Sequence, residues 1–229
     1  MSAGDLYSAA FERFVAVIDG LPDHMPVPAT PPWSVIDVLA HLTGVCADLV
    51  SGNVDDWADP AWTAAQVESR RGRSRSDLVD EWSALIPVAS AVVTDPSSVG
   101  LDIAFQRMPM VDVIAHEDDV REACGRERAI APAEWDIIGA HRRVRFDDLF
   151  EELGLPPIRI ATPEGDDWVV GAPDGGVEPV GEVRLSRQEL WRSTTGRRPR
   201  AAVRAYAWTV DPEPYLPAWA GGTFKYPED

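Results

Sequence analysis

Apolar residues recur at helical spacing through the first half of the chain. Within residues 4–21, one helical face carries Leu6, Ala10, Phe14, Val17 and Ile18. The same pattern predicts further helices over residues 33–52, 76–94 and 107–124. Residues 53–75 are mixed and end in a basic loop, and residues 95–105 read as a connection. Four long helices joined by loops favour an antiparallel four-helix bundle.

The pattern changes after another helix that is predicted to end at Leu153. The stretch "IRIATPEGDDWVVG" predicts a strand, a turn and a second strand, and "GGVEPVGEVRLS" is extended. A short helix follows in "SRQELWRSTTGRR", and "AAVRAYAW" predicts a final strand. We therefore expect an α+β protein with a helical bundle in residues 1–130, then a linking helix and a small α+β domain in residues 131–229.

The charge balance disfavours some partners. Of 229 residues, 21 are Lys or Arg and 38 are Asp or Glu, so the net charge is −17. Such a field repels phosphate backbones, which disfavours a nucleic-acid partner. The positive charge is concentrated in "SRRGRSRS" (69–76) and "TTGRRPR" (194–200). Clusters of this kind are more often solvated loops, yet in an acidic protein they can bind small anions.

The hydropathy, the first residues and the cysteines bear on the cellular location of the protein. No stretch approaches 18 consecutive apolar residues, so we expect no membrane helix. The first residues, "MSAGDLYSAAFERF", have no basic segment before an apolar run, which is not the pattern of a signal peptide. The two cysteines, Cys46 and Cys124, are expected to be buried, reduced thiols. These features predict a cytoplasmic protein.

Two helices contain nearly the same phrase. "IDVLAHLTG" holds Asp37 and His41, and "MVDVIAHEDD" holds Asp112 and His116 at the same spacing of four residues. Residues four apart project side by side from a helix, and buried polar groups need partners. In one interpretation, the aspartate and the histidine of each pair form a hydrogen bond with each other and have no further role. The occurrence of such a pair on two helices of one bundle favours a second interpretation, in which His41, Asp112 and His116 converge on a divalent metal, with zinc preferred over nickel, iron or manganese.

These residues carry a resemblance to a known family. "PPWSVIDVLAHLTGV", followed by "VDVIAHEDDVREACG", resembles the mycothiol-dependent maleylpyruvate isomerase family, whose members are relatives of the DinB-like proteins. The matching residues are Trp33, Ser34, Asp37 and His41 in the first motif and Asp112, His116 and Asp119 in the second. "DDWVVG", "ELWRSTTGRRP" and the closing strand resemble the family's sterol-carrier-like C-terminal domain. The resemblance therefore covers nearly the whole chain.

The resemblance implies a metal site with one departure from the family. His41, Asp112 and His116 would bind a divalent metal, which is zinc in the family's pattern, although the characterised isomerase has Glu where this chain has Asp112. Asp37 would either cap its helix or accept the second ring proton of a histidine. Asp119 would orient a ligand in a similar way. Glu117 and Asp118 lie off this helical face and are poor candidates for a fourth ligand.

The resemblance also implies a reaction class. The thiol of mycothiol would be the cosubstrate, and the second substrate would be a small electrophile that carries negative charge. Arg192, Arg197 and Arg198 are the candidates for binding that charge. The expected protein is a thiol transferase or isomerase, as a monomer or a homodimer. The alternatives are a non-catalytic metal-binding module for small molecules or regulation, and a site that has lost its function.

Overall fold

The computed structural model describes residues 1–57, 59–172 and 176–219, and the chain divides into two compact units, Met1–Arg128 and Ala129–Asp229. The N-terminal unit contains helices α1 (Ala3–Ile18), α2 (Val35–Ser51), α3 (Pro60–Glu68), α4 (Arg75–Thr94) and α5 (Met108–Ala123). Two short 3-10 helices, Pro96–Val99 and Ile103–Gln106, connect α4 to α5.

Four of these helices form a closed ring. Helix α4 packs on α1 and α2, and α5 packs on the same two helices. The Trp82 side chain of α4 is fully buried, with its ring centroid 5.0 Å from that of Phe11 and 5.7 Å from that of Phe14. Aromatic packing of this kind buries a large apolar area and holds α4 against α1.

Three helices of the ring begin with the same local device. A serine precedes α1, α2 and α4, and an aspartate three residues later accepts a hydrogen bond from the serine N–H. At α2, Asp37 Oδ2 accepts from Ser34 N at 2.9 Å and from Ser34 Oγ at 2.6 Å. These bonds satisfy polar groups that the start of a helix otherwise leaves unpaired. They fix the beginning of α2 about two turns before His41.

Helix α3 lies within residues 53–75 and is absent from the sequence-based prediction. It begins with Pro60, and only Gln66 and Val67 among its nine residues are buried. A helix with so narrow an apolar face produces no periodic signal. Packing on α2 also stabilises this helix, and a local sequence pattern carries no information about such a long-range contact.

The C-terminal unit combines helices with a small mixed sheet. Its elements are α6 (Pro132–Leu153), β1 (Ile158–Ala161), β2 (Asp167–Val170), β3 (Glu182–Arg184), α7 (Arg187–Thr194), α8 (Arg200–Arg204) and β4 (Ala207–Trp208). The strand order is β2-β1-β3-β4; β1 runs parallel to β3, and the two outer pairs are antiparallel. The α+β class is therefore as the sequence predicts.

The predicted final strand over "AAVRAYAW" is wrong for most of its length. Residues Arg200–Arg204 form α8, and only Ala207–Trp208 form a strand. Alanine and arginine are good helix formers, and this preference prevails in a segment with a single buried residue, Val203. Trp208 then donates its ring N–H to the Val203 carbonyl at 2.8 Å, which closes the turn between the two elements.

Among the residues that the structure describes, no helix is both long enough and apolar enough to cross a bilayer.

Candidate metal centre

His41 of α2 meets Asp112 and His116 of α5. His41 Nε2 lies 3.5 Å from Asp112 Oδ2, and His116 Nε2 lies 3.6 Å from Asp112 Oδ1. One donor atom from each of the three residues lies within 4.8 Å of the other two. The two imidazole rings are 4.9 Å apart, and both histidines are buried. The packing of α2 against α5 thus unites donors that are about 70 residues apart in the chain.

The spacing of the donors fits a shared ion better than a self-satisfied pair. Two ligand atoms bound at ~2.1 Å with tetrahedral angles are separated by about 3.4 Å. The nitrogen–oxygen separations of 3.5 and 3.6 Å are close to that value and exceed the usual length of an N–H···O hydrogen bond. Two imidazoles and one carboxylate are a donor set for zinc and for other divalent transition metals.

The protonation state of His116 also suits ligation. Burial lowers the pKa of His116 below the ordinary value for histidine, so the neutral ring that can bind a metal is favoured at neutral pH. His41 Nδ1 is buried and has no hydrogen-bond partner in the described part of the chain. Its Nε2 is the nitrogen that faces Asp112.

The two further aspartates occupy different places. Asp119 Oδ2 lies 3.1 Å from His116 Nδ1, and this carboxylate is 1% exposed. The contact holds the His116 ring with its Nε2 directed toward Asp112. Asp37 instead lies at the start of α2, where its Oδ2 accepts both hydrogen bonds from Ser34. Of the two roles expected for Asp37, its hydrogen bonds therefore correspond to capping of α2.

An aromatic side chain borders the group. The Trp33 ring centroid is 4.9 Å from that of His41 and 5.9 Å from that of His116. The preceding loop holds it there, because Trp33 N donates to the Thr30 carbonyl at 2.7 Å and Val27 N donates to the Trp33 carbonyl at 3.0 Å. The indole forms an apolar wall beside both imidazoles. The sequence motif that contains Trp33 gives no sign that this ring lies beside His116.

Glu117 and Asp118 point away from the metal group. The Glu117 carboxylate is fully buried and pairs with Arg13 at 3.0 Å, Arg121 at 2.8 Å and Arg128 at 3.2 Å. Asp118 lies 3.4 Å from Arg128. In the described residues the group that could hold a metal ion consists of His41, Asp112 and His116.

Neither cysteine takes part in this group. Cys46 is fully buried, and burial raises the pKa of its thiol to about 12, so the thiolate is strongly disfavoured. Cys124 is half-buried at the end of α5. Both are free thiols, and Cys46 has the small apolar role that the sequence predicts.

The predicted arginines lie in the C-terminal unit, on α7 and in the turn after it. Arg192 is 1% exposed and Arg197 is 8% exposed, so neither is the solvated side chain that charged residues usually are. Arg197 donates to the Thr195 carbonyl at 2.7 Å. Arg198 donates from both Nε and Nη2 to the Glu189 carboxylate.

Sequence reasoning missed a fourth arginine in that region. Arg142 of α6 donates to the Thr194 carbonyl at 3.3 Å. Burial, followed by the positive charges of Arg145 and Arg197, lowers the pKa of Arg142 to about 10. In the sequence, "GAHRRVRFDDLF" reads as a charged helix surface, and no local signal distinguishes the half-buried arginine from its neighbours.

Comparisons with known proteins give one likeness in structure. No protein-family model matches the chain, and no curated protein matches its sequence. The fold is similar to that in the crystal structure of a mycothiol-dependent maleylpyruvate isomerase, with a TM-score of 0.53 over 91% of this chain and 92% of that one. The sequence identity is 7%, so the likeness concerns the fold alone. The expected fold relationship is confirmed at that level.

Proposed function

We propose that the protein is a metal-dependent enzyme that uses a low-molecular-weight thiol and acts as a transferase or isomerase on a small electrophile. The observation that carries this proposal is the group formed by two buried imidazoles and one half-buried carboxylate on α2 and α5. Its support is the fold shared with a mycothiol-dependent isomerase. On this basis we infer that the chain is a divergent relative of that family and that its thiol is mycothiol or a similar molecule.

The residues have distinct roles in this proposal. His41 Nε2, His116 Nε2 and an oxygen of Asp112 would hold a divalent ion, for which we propose zinc. When bound, such an ion stabilises a thiolate at neutral pH. Three protein donors leave a coordination position for a thiol, whereas structural zinc sites usually have four protein ligands. Asp119 would keep the His116 ring oriented, and Trp33 would exclude water from one side.

The remaining roles concern the electrophile and the cellular setting. We propose that Arg192, Arg197 and Arg198 provide the positive charge for an anionic substrate, which a chain of net charge −17 otherwise repels. Arg198 would do so as part of its pair with Glu189. The free thiols of Cys46 and Cys124 accord with a reducing, cytoplasmic location. The active form would be a monomer or a homodimer.

A thiol titration tests the proposal. The metal-loaded protein is expected to gain thermal stability when mycothiol or another small thiol is added, because ligands that bind only the folded state stabilise it. At about ten times the Kd the gain is ~1.4 kcal/mol, or roughly 3–6 °C in Tm. The S-methylated thiol is expected to give no shift, since its sulfur cannot become a thiolate.

The same titration separates the proposal from its alternative. A protein that binds metal but responds identically to the thiol and its S-methyl derivative would be a non-catalytic binding module. Thiol-dependent stabilisation of metal-free protein would also contradict the proposed role of the ion.

Asp119→Asn is expected to weaken metal binding by about 10–100-fold, the usual effect of losing a carboxylate that orients a ligating histidine. The substituted amide keeps the size of the side chain but loses the charge beside His116 Nδ1. Competition with a chromogenic chelator measures the affinity. Asp37→Asn is the matched control. Asp37 accepts hydrogen bonds from Ser34, so its substitution is expected to affect the stability of α2 more than the metal affinity.

A further inference from the structure

A cleft of about 250 Å³ lies in the N-terminal unit beside the first turns of α2. One wall is formed by Asp37 and Ala40, and the opposite side by the arginine-rich loop that joins α3 to α4. The volume is below the roughly 300–1,000 Å³ of pockets that enclose larger organic ligands. None of the three metal donors lines it, so this cleft is distinct from the candidate metal centre.

Three arginines line the cleft, together with one carboxylate and several apolar side chains. Arg70, Arg71 and Arg73 all line it, and the exposed His24 lies at its edge. Asp37 is the carboxylate in the lining, and its Oδ2 already accepts two hydrogen bonds from Ser34. In a chain of net charge −17, such a concentration of arginines favours an anion locally.

The pairing of these arginines leaves donors available. Arg70 and Arg73 share one carboxylate, that of Glu81, and Arg70 Nη2 lies 2.6 Å from its Oε1. One carboxylate neutralises only one of the two guanidinium charges. Arg70 Nε is buried and has no hydrogen-bond partner in the described part of the chain. A buried donor without a partner is costly, and an anion in the cleft could supply the acceptor.

Arg71 provides a second, adjustable donor group. Its ion pair with Glu68 is exposed at both ends, with relative exposures of 66% and 67% for the two side chains. Exposed pairs of this kind contribute little to stability. The Arg71 side chain can therefore exchange its partner for a ligand at small cost.

The framework around the cleft is closely packed and hydrogen-bonded. A Cβ on Gly44 of α2 would lie 2.5 Å from Gln66 Cβ and 3.0 Å from Arg70 Nη1, so α3 and Arg70 approach α2 closely at this glycine. Arg75 fixes the other end of the loop, since it donates to Asp23 and to the Ile18 carbonyl at 2.7 Å. A preorganised frame reduces the entropy lost on binding.

We propose that this cleft binds a phosphate group, held by Arg70, Arg71 and Arg73. Guanidinium groups match the geometry of phosphate oxygens and form strong, charge-assisted hydrogen bonds with them. The ligand would be either inorganic phosphate or a small phosphate monoester, because a cleft of about 250 Å³ has room for a phosphate group and a small organic substituent.

Calorimetric titration of the 229-residue chain tests this proposal, with inorganic phosphate and glycerol 3-phosphate as probes at an ionic strength held constant with chloride. Saturable binding is expected, and Arg71→Gln and Arg73→Gln are each expected to weaken it about tenfold or more. Arg143→Gln removes the same charge from an exposed position of α6 and is expected to leave binding unchanged. Tighter binding of glycerol 3-phosphate would identify a phosphate monoester as the ligand. Tighter binding of inorganic phosphate would identify the free ion.

The His41→Ala variant separates the cleft from the metal group, because a bound metal ion could itself attract phosphate. Phosphate binding that survives in His41→Ala but is lost in Arg73→Gln supports the cleft. The proposal fails if native protein shows no saturable binding, if Arg143→Gln weakens binding equally, or if only His41→Ala abolishes it. Circular dichroism of Arg71→Gln, whose arginine pairs only at the surface, checks that a folded protein is compared.

Discussion

Protein purified without a chelator or a histidine tag is expected to contain about one divalent ion per chain, and both His41→Ala and His116→Ala are expected to lose it. Each substitution removes a nitrogen donor from a group of three. The loss of a residue that merely orients a ligand costs about 10–100-fold in affinity, so the loss of a ligand is expected to exceed about a hundredfold. Elemental mass spectrometry gives the stoichiometry, and competition with a chelator gives the affinity.

The control is His24→Ala, because His24 is exposed on a loop outside the metal group and its removal is expected to leave the metal content unchanged. The helices of the variants should persist, since α2 and α5 are held by an apolar core that includes Leu39, Leu42, Val113 and Ile114. Metal-free native protein, even after reconstitution, would contradict the proposed enzyme. The buried His116 and the half-buried Asp112 would then be only polar neighbours.

The fold follows from the sequence where one face of an element is clearly apolar. The faces of α1 and α2 gave sufficient periodicity, and the serine and aspartate at Ser34 and Asp37 located the start of α2. Helix α3 and helix α8 escaped prediction for a common reason. Each buries few side chains, so tertiary packing and helix propensity, rather than a periodic pattern, determine its conformation.

Only the part of the candidate site that lies within one helix could be predicted from the sequence. A spacing of four residues places Asp112 beside His116 in any helix, and their helical face separates them from Glu117. The approach of His41 depends on which helices are neighbours, and the 3.5 Å separation from Asp112 depends on how they pack. Burial of Arg192 could not be foreseen either, because arginine is usually exposed and only its tertiary environment makes an exception.

The second large effect is expected at Glu117, which the metal group does not use. Glu117→Gln is expected to destabilise the N-terminal unit by about 3–5 kcal/mol. The carboxylate is fully buried and pairs with Arg13 of α1, Arg121 of α5 and Arg128 after α5. The neutral amide removes the charge that offsets these guanidinium groups, and burying charge without an opposite charge is costly.

Urea denaturation measures the effect, with an expected decrease of roughly 1–3 M in the transition midpoint. Glu68→Gln provides the matched control, because its pair with Arg71 is exposed and its loss is expected to cost less than about 1 kcal/mol. A similar midpoint for both variants would mean that the Glu117 network does not hold α1 to α5. Because Glu117 directly follows His116, a large effect would also show that the helix carrying two of the metal donors is anchored by charges outside the metal group.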